Sequence, residues 1–123
     1  MMKHLHSCVL APLLGASLIL ASVMHVSAGE AQAPRAVIEL FTSQGCSSCP
    51  PADAMIVSLA KDNEIIALTL HVDYWDYLGW RDTLAKPAFS ERQRNYAELR
   101  GDRGVFTPQM VVNGQEACIG SDE

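Results

Sequence analysis

Apolar residues along the chain occur in two patterns, the short continuous runs of buried strands and the three-to-four-residue spacing of helices. Two aliphatic runs, at 36–41 and 65–72, predict strands, and the length of the second indicates a central strand buried on both faces. Between them, apolar residues return at helical spacing, at Ala52, Met55, Ile56, Leu59 and Ala60. A strand, a helix and a second strand in this order predict a crossover between two parallel strands.

The second half of the chain predicts another helix and then a hairpin. Residues 87–100 have a helical pattern that ends at Gly101, because glycine readily takes the left-handed conformation found after helices. One side of this helix would carry Phe89, Gln93, Tyr96 and Ala97. The full order of strand, helix, strand, helix and hairpin predicts an α/β fold in which helices flank a mixed sheet.

Asn113-Gly114 marks the turn of the predicted hairpin, between the strand segments 109–112 and 115–119. Asn-Gly is the strongest signal for a two-residue turn, because both positions must take positive φ. Counting outward from such a turn places Gln109 opposite Cys118. We therefore expect Cys118 to lie near the residues that precede the third strand.

Residues 1–28 have the pattern of a signal peptide: a short basic start, an apolar run at 9–24 and small residues before a cleavage point after Ala28. A leader at 29–35 and one domain over 36–123 would follow. The alternative is an uncleaved membrane anchor, although the apolar run is slightly shorter than the roughly 20 residues that a bilayer needs. We therefore expect an exported protein, periplasmic or secreted, that meets a membrane only through an uncleaved signal segment.

Composition limits the classes of function. The chain has 123 residues, 49% of them hydrophobic, and a formal net charge of −5. This length has room for one domain, and an acidic balance without a basic cluster argues against binding nucleic acid. Removal of the signal peptide would leave Cys46, Cys49 and Cys118 in an oxidising compartment, where disulfides persist. Because three is an odd number, pairing Cys46 with Cys49 leaves Cys118 over.

Cys46 and Cys49 have C-x-x-C spacing and stand between the first predicted strand and the first predicted helix. A helix N-terminus stabilises a thiolate, so a cysteine at this junction can be reactive. We expect Cys46 to be the more exposed thiol and the nucleophile, and Cys49 to resolve the mixed disulfide that Cys46 forms. The alternative is an inert disulfide or a buried thiol pair.

The neighbours of the cysteine pair change this expectation in two ways. The two serines between the cysteines can donate hydrogen bonds to a Cys46 thiolate and lower its pKa. Pro50-Pro51 suits the first turn of a helix and predicts that regular helix begins near Cys49 instead of at Cys46. Fewer helical N–H groups would then point at the Cys46 sulfur.

Motifs at 39–53, 71–80 and 107–114 carry a resemblance to a known family. Over residues 37–122 the chain resembles an uncharacterised family of exported bacterial proteins with a thioredoxin-like domain. The resemblance implies a thioredoxin-like fold, which agrees with the predicted order of elements. The function of that family is not established, so the resemblance implies less about activity than about fold.

The resemblance also implies roles for three residues outside the cysteine pair. Pro108 is expected to follow a cis peptide bond and to face the cysteines, with the backbone beside it, at Thr107, pairing with substrate; the alternative is a trans proline that starts a strand. Glu39 resembles a buried acid that lies beneath Cys49 and relays its proton. The alternative for Glu39 is a side chain that faces outward from the first strand.

Three further candidates each have a structural and a functional interpretation. Trp75 and Tyr77 belong to an aromatic segment that either packs as a lid on the sheet or lines a groove for a peptide or unfolded substrate. His71, at the end of the second strand, is either a hydrogen-bonded core histidine or a metal ligand or proton donor near the thiols. Cys118 is expected to be a small buried core residue, the alternative being a third redox thiol or a metal ligand.

The leading prediction is an exported thiol–disulfide oxidoreductase. It would use the Cys46–Cys49 dithiol without any other cofactor and act on thiols or disulfides of proteins or small molecules. One alternative is a module for copper(I) or zinc whose ligands are Cys46, Cys49, His71 and Cys118. The other alternative is a redox-silent binding domain of the same fold.

The last three residues, Ser121-Asp122-Glu123, have the pattern of a helix N-cap. Thioredoxin-like domains normally close with a helix after the hairpin. We therefore expect a chain cut short of that helix, with one face of the sheet left uncovered.

Overall fold

The computed structural model of the protein describes residues 33–121. The predicted signal peptide at 1–28, most of the predicted leader and the final two residues of the predicted helix cap lie outside the described residues. The elements are β1 (Ala36–Thr42), α1 (Pro50–Leu59), β2 (Ile65–His71), a short 3₁₀-helix (Asp76–Leu78), α2 (Pro87–Arg100), β3 (Gln109–Val112) and β4 (Glu116–Ile119). Within residues 33–121, no helix is long and apolar enough to cross a membrane.

The four described strands form one mixed sheet in the order β2-β1-β3-β4. β1 and β2 are parallel, as expected for strands joined by a crossover helix, whereas β3 is antiparallel to both β1 and β4. The predicted order of strand, helix, strand, helix and hairpin is confirmed. The result is an α/β fold that is compatible with a thioredoxin-like arrangement.

The prediction that the second strand is central is wrong. β1 occupies an inner position with β2 and β3 as neighbours, while β2 is an edge strand of the sheet that residues 33–121 form. Ile66 and Leu68 in β2 are 44% and 42% exposed. A long aliphatic run indicates a strand but does not tell how many neighbours the strand has, which here depends on the return of β3 beside β1.

The predicted register of the hairpin is wrong by one residue, because Cys118 pairs with Met110 and not with Gln109. The turn residues 113–114 do take positive φ, 51° and 70°, as an Asn-Gly turn requires. Gln115 donates its N–H to the carbonyl before the turn but stays outside the ladder, so three residues separate the paired strand ends. A one-residue slip moves Cys118 to the opposite face of the sheet from the predicted one.

The two faces of the sheet carry separate apolar clusters. Side chains alternate along β1, so that Ile38 and Leu40 pack toward α1 while Phe41 packs toward α2. The buried residues of the α1 face are Ile38, Leu40, Ala52, Ile56 and Met110. Those of the α2 face are Phe41, Leu70, Val72 and Val111.

Gly120 lies in the α1-face cluster, where a side chain has no room. A Cβ atom at Gly120 would lie 3.0 Å from both Ala52 Cβ and Leu40 Cδ1. We expect Gly120→Ala to lower the free energy of unfolding by about 1–3 kcal/mol, because the core must shift to admit the methyl group. Urea denaturation measures this change.

A matched control is Gly104→Ala, since a Cβ at Gly104 meets nothing within 4 Å. That substitution should leave stability unchanged or raise it by up to about 1 kcal/mol through the lost freedom of the unfolded chain. Equal effects of the two substitutions would contradict the packing described at Gly120.

Candidate dithiol site

Cys46 and Cys49 are joined by a disulfide in the segment between β1 and α1, with Cα atoms 5.4 Å apart. Cys46 is 6% exposed and Cys49 is fully buried, so the prediction that Cys46 is the more exposed of the two is confirmed. Cys46 is therefore the less buried end of the pair. This is the order of access that a nucleophilic first cysteine and a resolving second cysteine require.

Regular helix begins at Pro50, directly after Cys49, as the proline pair predicts. The Cys49 N–H donates to the Cys46 carbonyl at 3.3 Å, which makes the two cysteines the ends of one tight turn. The prolines occupy the first two helical positions and have no N–H, so the helix N-terminus offers few donors to the Cys46 sulfur. The Ser48 hydroxyl oxygen lies 3.6 Å from that sulfur.

The peptide bond between Thr107 and Pro108 is cis, as the resemblance implies. Trp75 connects this bond to the cysteine loop: its Nε1 donates to Thr107 Oγ1 at 2.8 Å. On its other side, a Cβ atom at Gly45 would lie 3.2 Å from Trp75 Cβ. Trp75 therefore lies close to the residue before Cys46 and is hydrogen-bonded to the residue before Pro108, which brings the two loops together.

The aromatic segment divides into inward and outward residues. Tyr74 and Trp75 pack against the α2-face cluster, and the Tyr74 hydroxyl donates to Gln93 Oε1 at 3.0 Å. Tyr77 and Trp80 are 77% and 53% exposed. The lid interpretation thus fits Trp75, whereas Tyr77 is available to an approaching partner.

Glu39 is buried, at 2% exposure, but its carboxylate contacts α2. Oε1 accepts a hydrogen bond from Arg92 Nε at 2.6 Å, and Oε2 accepts one from the Tyr96 hydroxyl at 2.6 Å. Burial and the bond to Glu39 raise the pKa of Tyr96. Glu39 lies on the α2 face of β1, and α1, which Cys49 precedes, packs on the other face. A proton relay from Cys49 to Glu39 stays a prediction that these contacts do not support.

Asp82 is a buried residue at this site that the sequence reasoning missed. Its Oδ2 accepts the Gln44 N–H at 2.8 Å and lies 2.8 Å from His71 Nδ1, while Oδ1 accepts the Leu84 N–H at 2.8 Å. Burial alone would raise the pKa of Asp82, but these hydrogen bonds, the one from the Gln44 amide foremost, outweigh burial and hold the pKa below its ordinary value. The charged Asp82 carboxylate is therefore bound to the backbone of Gln44, two residues before Cys46.

His71 and Cys118 are not brought together with the cysteine pair. His71 contacts Asp82, as a hydrogen-bonded histidine at the end of β2. Cys118 is a free and exposed thiol in β4, so the expectation of a small buried core residue is wrong. Within residues 33–121, no three or more His, Cys, Asp or Glu side chains are grouped in a way that could hold a metal ion.

Comparison with known proteins agrees with the resemblance found in the sequence. A family model for a protein of unknown function, DUF1223, matches residues 37–123. The chain belongs to this family. An Agrobacterium tumefaciens protein of known crystal structure has 47% sequence identity to this chain. The match covers 74% of this chain with a TM-score of 0.70. The chain spans 41% of that structure, and comparison with curated proteins gave no match.

Only the local contact of Asp82 in the DUF1223 domain has a signal that could be found in the sequence. Its side chain accepts the N–H of the residue two positions later, a turn that aspartate favours in loops. Its contact with Gln44 spans 38 residues and has no local signature. The same holds for Thr42, whose hydroxyl donates to Asp53 Oδ1 at 2.7 Å and ties the end of β1 to α1.

The Trp75–Thr107 hydrogen bond can be removed with little change of shape. Thr107→Val leaves the indole N–H without its partner, and we expect the free energy of unfolding to fall by about 1 kcal/mol, since the indole is only half-buried. Urea denaturation checks this value. Thr69→Val, at an exposed position in β2, should change stability by less than about 0.5 kcal/mol. An equal loss of stability in both variants would show that the Trp75–Thr107 hydrogen bond does not stabilise the fold.

Proposed function

We propose that this DUF1223 domain is a thiol–disulfide oxidoreductase. The observation that carries the proposal is the Cys46–Cys49 disulfide at a strand-to-helix junction, with Cys46 as the less buried of the two cysteines. The cis peptide before Pro108, joined to the cysteine loop through Trp75, supports it. An inert structural disulfide needs no second loop beside it.

The chemistry in the reducing direction consists of two exchanges between thiolates and disulfides. The Cys46 thiolate attacks one sulfur of a substrate disulfide, the substrate S–S bond breaks, and the other substrate sulfur leaves as a thiolate. The Cys49 thiolate then attacks the Cys46 sulfur and releases the second substrate thiolate. The domain ends with the Cys46–Cys49 disulfide, and the substrate has gained the two electrons that the dithiol lost.

The surroundings of the cysteines suit a macromolecular or small-molecule thiol partner. Trp75 is hydrogen-bonded to Thr107 and lies close to Gly45, the residue before Cys46, and the exposed Tyr77 belongs to the same aromatic segment. The exchange needs no cofactor beyond the cysteine pair. A protein with the signal pattern at 1–28 would carry out this exchange in the periplasm or outside the cell, where disulfide partners persist.

The decisive variant is Cys46→Ser. With dithiothreitol as electron donor and insulin as a disulfide substrate, we expect the wild-type chain to accelerate insulin reduction and Cys46→Ser to fall to the uncatalysed rate. Cys49→Ser should also lose turnover but accumulate a covalent mixed disulfide at Cys46, which non-reducing gels and mass spectrometry detect.

Cys118→Ser is the matched control, because it removes an exposed cysteine that is outside the disulfide. It should reduce insulin as fast as the wild-type chain. A Cys46→Ser variant that keeps the wild-type rate would rule out the proposed function. A loss of rate in Cys118→Ser would show that Cys118 takes part in the reaction, contrary to the proposal.

A further inference from the structure

The loop that leads into Cys46 is held by hydrogen bonds from three consecutive amides. The N–H groups of Gly45 and Cys46 both donate to Ser43, at 3.1 Å to its Oγ and 3.1 Å to its carbonyl oxygen. These two bonds are internal to the loop. The Gln44 N–H instead donates to Asp82, a residue 38 positions away. Among the hydrogen bonds of the described residues, this one ties the three amides to a distant part of the chain.

The Asp82 carboxylate is itself held in place. It is 1% exposed, and its two oxygens are shared among Gln44, His71 and Leu84. Its backbone N–H donates to Asp76 Oδ1 at 3.1 Å. A buried carboxylate with this many donors has one favourable position, because any displacement leaves charge or amide groups unpaired.

We propose that Asp82 is a positioning residue for the Cys46–Cys49 pair, which holds the 43–46 loop so that the two sulfurs stay together in both redox states. The inference rests on the proposed dithiol function and deepens it. A fixed loop keeps the two thiols of the reduced domain close, which raises their effective concentration and favours the disulfide. A carboxylate charge beside the loop also disfavours a thiolate at Cys46. Both effects stabilise the disulfide relative to the dithiol.

The test is the equilibrium of the domain with glutathione, in which the disulfide and two glutathione thiols give the dithiol and one glutathione disulfide. We expect Asp82→Asn to shift this constant toward the dithiol by about tenfold, because a freed loop in the reduced domain lowers the effective concentration of the two thiols. Glu98→Gln, which neutralises an exposed carboxylate on α2, should match the wild-type constant. A folded Asp82→Asn variant with an unchanged constant would overturn the inference, whereas a merely structural role would lower stability without moving it.

A measurement on the wild-type chain covers the case in which Asp82→Asn does not fold. Amide hydrogen exchange should show the Gln44 N–H protected in both the oxidised and the reduced domain, because Asp82 holds it in each. Free exchange at Gln44 after reduction would contradict the proposal. A wild-type pair that does not react with glutathione would instead refute the proposed dithiol function, and Gln44 protection alone would then decide whether Asp82 positions the loop.

Discussion

β1 pairs with strands on both sides, and the site depends on this inner position. Parallel pairing with β2 joins Thr42 to His71, and antiparallel pairing with β3 joins Phe41 to Gln109. The cysteine loop, which follows β1, therefore starts between the end of β2 and the start of β3. Because the cis peptide immediately precedes β3, the same pairing brings it to the cysteine side of the sheet. The dithiol site is thus a consequence of strand order as much as of the cysteine spacing.

Two buried carboxylates follow from the same architecture, and each is matched by donors from a distant segment. A buried carboxylate is costly unless hydrogen bonds and opposite charge compensate it. Glu39 meets that requirement through α2, by way of Arg92 and Tyr96, and so fixes the helix on its face of the sheet. Asp82 meets it through His71 and two backbone amides, and so fixes the cysteine loop. Two residues that look alike in a sequence thus stabilise different parts of the molecule.

Local patterns predicted the local features well. Helical spacing, the proline pair and the C-x-x-C motif place α1 and the cysteines correctly, because each depends on neighbours within a turn or two. The edge position of β2 and the pairing of Cys118 with Met110 were missed, since both depend on which strands meet and on one extra residue in a turn. The partners of Glu39 lie 53 and 57 residues away, beyond the reach of any periodicity.

The surroundings of Cys46 bear on the direction of the proposed exchange. A thiolate gains most from a helix start with free N–H groups, yet here the first two helical residues are prolines. The Asp82 carboxylate, which accepts the Gln44 N–H, adds negative charge near the loop and disfavours the thiolate, whereas Ser48 Oγ, 3.6 Å from the Cys46 sulfur, can donate a hydrogen bond to it. When the thiolate is poorly stabilised, the reduced form loses stability and the disulfide is favoured. Strongly oxidising dithiol proteins have the opposite property, a well-stabilised thiolate. Within the proposed function, the two prolines and the Asp82 carboxylate argue that the domain donates electrons to a partner disulfide more readily than it accepts them.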